Sequence, residues 1–493
     1  MAEQQNQSPN EKIEIDPSNN IQNSPAIALQ TPATINIDQN FQTTEGNFEI
    51  DVGKEVPPVD SKDILGKGQP SLFGTALLLA NMCFGSVVFS FGKSCKYSGM
   101  VWILVINFVG ALINCWTILR LVRVSTIHNE NNYAKLATKV CGNVGGMTIE
   151  IFSLLYDLIV LLSEICNSLT AVGRFSEVIF FNGKYEKYDD FKSDVWSKAK
   201  YKYSVVAVIT VILFPICIIR DYTRLQFTGF IGVGCTAFCI LVVVIQCNEY
   251  YNHYRDYVYI SEDDSTHPNY IDIRDGFTNK LEFFKSFANL FFAYTLHNGV
   301  LSVYADFENS EKGFKNFSHS VYLGMLVVSG IHTIAIIVCF LTEPINPEDL
   351  IIFRRPIHSG YDVLMSIAKV AFFLAQIVTV PPYFLLWRQG IENIFNHKKP
   401  FSLFANIVFT AITLIVCGIV TSAYDKILNY MSYSGGFLCI VFAYFFPILM
   451  WIKSNGKGYF HWQNILEAIG AFLLCSVGII AGVTTIVNDI QGD

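Results

Sequence analysis

The sequence predicts an all-helical integral membrane protein of about eleven transmembrane helices, on three observations. The chain of 493 residues is 52% hydrophobic and only 15% charged, against about 25% charged residues in soluble domains. Its mean hydropathy is +0.38, and the charge is missing from long apolar runs, each near the roughly 20 residues that cross a hydrocarbon core. The 40 Phe residues suit a lipid-facing surface better than a soluble core of this size.

Taken in order, the spans are expected at 72–92, 101–123, 148–172, 202–219, 226–247, 283–304, 319–341, 362–387, 402–422, 433–452 and 464–487. Residues 1–68 precede them as a separate region, rich in Gln, Asn, Ser, Pro and acidic residues and without Arg. That composition predicts a disordered polar tail and resembles neither a secretory signal nor an Arg-rich transit peptide. Residues 69–493 then form the eleven-helix transmembrane domain. The longest connections, 173–201 and 248–282, leave no room for a soluble catalytic domain; the second is acidic, with Glu262, Asp263 and Asp264. Lys and Arg fall in equal numbers on the two sides of these spans, counting only Lys54, Lys62 and Lys67 from the tail. The positive-inside rule therefore does not orient the chain, and an odd number of spans places its ends on opposite sides.

Several function classes drop out. A net charge of −7 offers no basic footprint for nucleic acid. The 13 cysteines sit mostly inside apolar runs (Cys83, Cys115, Cys166, Cys239, Cys417 and Cys475 among them) and form no C-x-x-C pair. They read as small buried hydrophobes, not as a metal centre or disulfide framework. Neither H-E-x-x-H nor G-x-S-x-G occurs, so an enzyme is not expected.

The informative places are where the helices are weakest. Backbone groups inside a bilayer must be satisfied within the protein, so helix breakers at membrane depth mark a cavity or a close packing contact. The first span contains Asn81-Met-Cys-Phe-Gly85-Ser86-Val87 and then Gly92-Lys93. The sixth contains Tyr294-Thr295-Leu296-His297-Asn298-Gly299. Each opens a group of five spans, which fits an inverted five-plus-five repeat with a binding site near the midplane. Unwound N–H groups suit a carboxylate, and freed carbonyls suit a cation.

Five segments then carry a resemblance. Asn81 to Gly99 aligns without gaps to N-x-x-x-G-S-G…P…K-x-x-G. Tyr133-Ala-Lys-Leu-Ala137…Cys141-Gly142 precedes the third span. Phe292-Ala-Tyr-Thr-Leu-His297…Val303-Tyr304, Thr379-Val-Pro381…Arg388 and Ser434-Gly-Gly436…Pro447 follow in the sixth, eighth and tenth. In this order they resemble the amino acid/auxin permease family of transmembrane amino acid transporters, and most nearly its sodium-coupled neutral amino acid branch. The resemblance implies a LeuT-like fold, five-plus-five with one further C-terminal helix, and secondary active transport of amino acids or similar small solutes by alternating access, coupled to sodium or protons.

It also implies site residues. Gly85, Ser86, Val87, His297, Asn298 and Gly299 line the substrate site, and Asn81 and Thr379 match the residues that serve a sodium ion, the one cofactor expected. Hard cations take such oxygen ligands. Two departures stand out: Val87 replaces the second Gly of G-S-G, and Gly92, itself a helix breaker, replaces the Pro, followed by Lys93.

Intramembrane charges need an account of their own. Glu150, Asp157 and Glu164 are spaced by seven, two helical turns, and so share one face of the third span with Asn167. Two readings stand: proton coupling through a buried carboxylate, or an ion pair of Asp157 or Glu164 with Lys369. His297 stands beside Gly299, whereas His332 lacks such context and reads as structural. The rival to transport is a transporter-like structural subunit of a larger membrane complex, with partner subunits binding the tail; Val87 and Lys93 favour it. The partners expected otherwise are the lipid bilayer and a small amino acid substrate. The sequence does not choose among plasma, vacuolar or lysosomal and mitochondrial inner membranes.

Overall fold

A computed structural model describes residues 71–181, 199–259, 282–307, 310–342, 350–354, 362–395, 400–423 and 433–491. The tail expected over 1–68 lies outside them, as do large parts of the two long connections. The described residues belong to the compact unit Lys67–Asp493.

These residues are helical throughout, apart from short turns. In chain order the helices are α1 (Leu72–Phe84), α2 (Phe91–Ser98), α3 (Met100–His128), α4 (Tyr133–Phe181), α5 (Ala199–Cys217) and α6 (Tyr222–Tyr259). Then come α7 (Glu282–Tyr294), α8 (His297–Tyr304), α9 (Glu311–Thr342), α10 (Val363–Ile394), α11 (Leu403–Ala423), α12 (Phe446–Ser454) and α13 (Trp462–Gln491). A 3₁₀ turn, Ser86–Ser90, joins α1 to α2, and two π-helical segments, Ser434–Leu438 and Ile440–Phe445, lead into α12.

Helical segments stand at each of the eleven expected spans. By length and apolarity alone, however, seven helices among the described residues qualify as membrane-crossing, and the α1–α2 pair, bent by 50°, makes eight. The segments α4, α5 and α7 with α8 are not among them, so that test does not establish eleven.

Local chemistry sets the helix ends. The Ser71 hydroxyl accepts from the Gly74 amide at 3.3 Å and opens α1; Asp362 does the same for α10 through the Met365 amide at 2.8 Å. Both are side-chain N-caps. α3 ends where Asn129 turns left-handed, at φ 50°. Gly142, at φ 84°, kinks α4 near its start. Pro381 and Pro382 sit inside α10, where they remove two backbone donors.

α10 packs along α4 and α6, while α1 lies between α6 and α9. The membrane-facing surface is apolar: Phe108, Val211, Leu326, Ile412 and Phe472 are all exposed. All 13 cysteines are free thiols. The tenth span is held by small residues. A Cβ on Gly435 would stand 2.0 Å from the Ala288 carbonyl oxygen of α7, and one on Gly436 would stand 2.6 Å from Gly482 Cα of α13. Such close backbone approach is how helices pack without a hydrophobic drive in lipid.

Gly92, expected to break a helix, does not: it is the second residue of α2. The backbone changes direction at Gly85, and the 3₁₀ turn passes into α-helix at Phe91. The second break also falls three to four residues earlier than its glycine suggests. Thr295 and Leu296 interrupt the helix, and Gly299 lies inside α8.

Candidate functional site

A continuous helix would join the Met82 carbonyl to the Ser86 amide, four residues on. Gly85 opens that pair, and two other helices close it. Tyr383 of α10 donates its hydroxyl to the Met82 carbonyl at 2.5 Å. The Ser86 amide donates to the Glu164 carboxylate of α4. Glu164 is 1% exposed, and its Oε2 has no hydrogen-bond partner. A Cβ on Gly85 would stand 2.7 Å from Glu164 Oε1. Any side chain there would displace the Glu164 carboxylate from its approach to the chain.

The second break is closed in a parallel way. Tyr156 of α4 donates to the Thr295 carbonyl at 2.8 Å, and the Cys83 thiol of α1 faces the Tyr294 carbonyl at 3.9 Å. Gly299 instead bonds its amide to Leu296 at 3.1 Å, closing a tight first turn of α8. The Tyr156 and Tyr383 rings stand 6.2 Å apart, so the caps of the two breaks are neighbours. A buried acceptor left without such a donor would cost about 1–3 kcal/mol.

The remaining predicted residues fall around these breaks. Ser86 and Val87 are buried in the 3₁₀ turn. His297 is fully buried; its Nε2 shares a 2.8 Å hydrogen bond with Thr117 of α3, while Nδ1 has no partner. Asn298 donates its side-chain amide to Asp157. Gly299 lies against Met82 and Leu386, whose side chains stand 2.6 and 2.9 Å from where its Cβ would be.

Asn81 is buried against Gly232 of α6, and its Nδ2 has no partner. Thr379 donates to the Ala375 carbonyl of its own helix at 2.9 Å. No described contact joins Asn81 to Thr379. Lys369 is buried in α10. Lys93 is half-buried in α2. His332 is enclosed by Phe84, Phe91 and Tyr294, with ring centroids 4.9–5.9 Å away.

The structure therefore gathers Gly85, Ser86 and Glu164 at one break and Asn298 with Asp157 beside the other. Sequence reasoning missed Tyr156, Tyr383 and Thr117. The only signal for the first was its place beside Asp157, and for the second its place just after the Pro pair.

An open cleft reaches the second break from one side. It runs between α4, α8 and α10, past Glu150, Ser153, Gln389 and Ser302 to Asp157 and Asn298. α1 with α2 crosses once and α3 crosses back, so the start of α4 and this cleft lie on the face where α1 begins. Toward the other face, aromatic rings cover the first break. Phe89 of the 3₁₀ turn and Phe353 of a second short 3₁₀ turn, Ile351–Phe353, both stand edge-on to Phe372, at 5.0 and 5.6 Å.

Comparison with known proteins gives this arrangement a family. The sodium-coupled neutral amino acid symporter 2 of Danio rerio is 22% identical over 291 residues, 56% of this chain and 55% of that protein. The chain thus spans about half the length of the curated relative it matches. Among solved structures, two single-residue mutants of the Eremococcus coleocola manganese transporter are similar. One gives TM-score 0.50 and 12% identity over 90% of this chain and 92% of that one. The other gives TM-score 0.50 and 12% identity over 89% and 90%. These likenesses concern the fold, which is all-helical and LeuT-like. The family described as transmembrane amino acid transporter protein matches residues 68–488. The chain is therefore a multi-pass integral membrane protein that belongs to this family of transporters, not to a family of enzymes.

Proposed function

We propose that the protein is a secondary active transporter that moves amino acids or similar small solutes by alternating access. The observation that carries this reading is the pair of helix breaks, the first closed by side chains from α4 and α10 and the second by side chains from α4 and α1. Caps of this kind can be exchanged for a ligand at modest cost. A neutral hydrogen bond is worth about 1 kcal/mol net, whereas a broken helix left bare in lipid would not persist. The cleft on one face and the aromatic cover on the other fit one stage of such a cycle.

The coupling ion is sodium or a proton. Sodium is favoured by the relative's name, sodium-coupled neutral amino acid symporter, with Asn81 and Thr379 as the oxygen ligands. A proton carried by Glu164 or Asp157 is the other form of the same reading; both carboxylates touch the broken segments.

The test is uptake by purified protein in liposomes, across a panel of amino acids, with an imposed sodium or proton gradient. Gradient-dependent uptake of at least one amino acid is expected, with sodium dependence reduced in Asn81→Ala and Thr379→Ala. Sodium dependence unchanged in both variants removes that ion site. No uptake under any gradient overturns the reading in favour of a structural subunit.

A further inference from the structure

The cleft has a chemistry that the two breaks do not explain. Its walls present acceptor oxygens. Asp157 is 2% exposed and Asn298 8% exposed. Asn298 turns its amide nitrogen to Asp157, and its own Oδ1 has no hydrogen-bond partner. Ser153, one turn before Asp157 on the same face of α4, has a buried hydroxyl without a partner. Ser302, on α8, lines the same cleft and shares a 3.4 Å hydrogen bond with Gln389 of α10.

No described ion pair neutralises Asp157. The nearby guanidinium of Arg388 is committed elsewhere, donating to the Cys217 and Ile219 carbonyls and to Asn406 Oδ1 at 2.7–3.2 Å. Removing a carboxylate from water without a counter-charge costs several kcal/mol. A carboxylate, an amide oxygen and a hydroxyl lining one cleft are also the ligand set of a hard cation.

We infer that this cleft is a binding site for a small cation, held by Asp157, Asn298 and Ser153. Glu150 lies two turns toward the mouth, about 10 Å away along α4, and interacts with Asn393 and Lys135. That is too far to share the ion with Asp157. Glu150 gives an incoming cation its first negative contact, and Asp157 holds it. The site stands apart from Asn81 and Thr379, and it does not depend on whether the protein transports.

The compact charge can be an alkali ion or the ammonium group of an organic solute, and both would be recognised by the same oxygens. The experiment follows the thermal unfolding midpoint of the purified full chain in lipid nanodiscs. Sodium, potassium or methylammonium chloride is titrated against choline chloride at constant ionic strength. A saturable rise over choline is expected with at least one of the three; a metal response marks an alkali-ion site and a response to methylammonium alone marks an amine site.

Asp157→Asn should weaken the apparent affinity by about tenfold or more, equivalent to about 1.4 kcal/mol. Ser153→Ala, which keeps the fold safe by removing one hydroxyl, should weaken it about threefold. The inference is overturned if no cation outdoes choline, or if Ser153→Ala and Asp157→Asn both keep the wild-type affinity. It is equally overturned if Asn81→Ala alone abolishes the response.

Discussion

At the first break the opened backbone pair meets a hydroxyl from α10 and a carboxylate from α4, both deep in the protein. At the second, the Thr295 carbonyl meets a hydroxyl from α4, and the neighbouring Asn298 meets a carboxylate that lines an open cleft. The backbone problem is the same, and the access differs. A solute arriving from the face where α1 begins meets Asn298 before anything at Gly85. The second break is therefore where such a solute first acts, and the first responds only when Glu164 or Tyr383 lets go.

The largest effect expected from this difference is in chemical access. In a background lacking the half-buried native cysteines, Ser302→Cys should react with a membrane-impermeant thiol reagent added from the cleft side. In the same background Ser86→Cys, buried at the first break, should react about a hundredfold more slowly, as an opening cost of about 3 kcal/mol implies. Comparable labelling rates would erase the asymmetry.

Next in size is the charge at the first break. Glu164→Gln keeps an acceptor for the Ser86 amide but removes the ionic part of the bond, and uptake should fall about tenfold. Gly85→Ala pushes its new methyl at the far end of Glu164, a part of the side chain that can move. It should therefore act through the carboxylate, with the double variant no worse than either single one. Additive losses in that cycle would mean that Gly85 serves packing alone.

A smaller and more symmetrical effect is expected of the hydroxyl caps. Tyr383→Phe and Tyr156→Phe should each lower stability by about 1–2 kcal/mol, seen in the unfolding midpoint, because each leaves one carbonyl short of its donor. The smallest is Thr117→Val. It removes one neutral bond from His297, whose Nδ1 already lacks a partner, and should cost about 1 kcal/mol or less.

Hydropathy made much of the fold legible, because a bilayer demands unbroken apolar length, and the helical segments stand where those lengths were. The first break was legible because Gly85 interrupts an apolar run that has no other reason to contain it. The second was legible only to within a few residues. Gly299 reads as the breaker, but close contact with Met82 and Leu386 accounts for it, while Leu296 carries the turn at φ −136°. The stripe of Glu150, Asp157 and Glu164 was visible from its spacing, and its partners were not. Whether a buried carboxylate meets a lysine, an asparagine or a backbone amide depends on helix rotation and depth, which periodicity does not fix. Tyr156 and Tyr383 were silent for the same reason: a tyrosine among apolar residues looks like packing until its hydroxyl is seen at a freed carbonyl.

The π-helical stretch before α12 carries a consequence for rotational phase. Each π turn accommodates an extra residue. Relaxing one to α-helical winding would turn everything beyond it by about 100°. Tyr444, in the second π segment, shares a hydrogen bond with Asn114 and lies 6.0 Å from the His297 ring. Such a turn would carry it away from both. Gly436, wedged against Gly478 and Gly482 of α13, resists that rotation. The last helix thus holds the rotational phase of the wall of the second break.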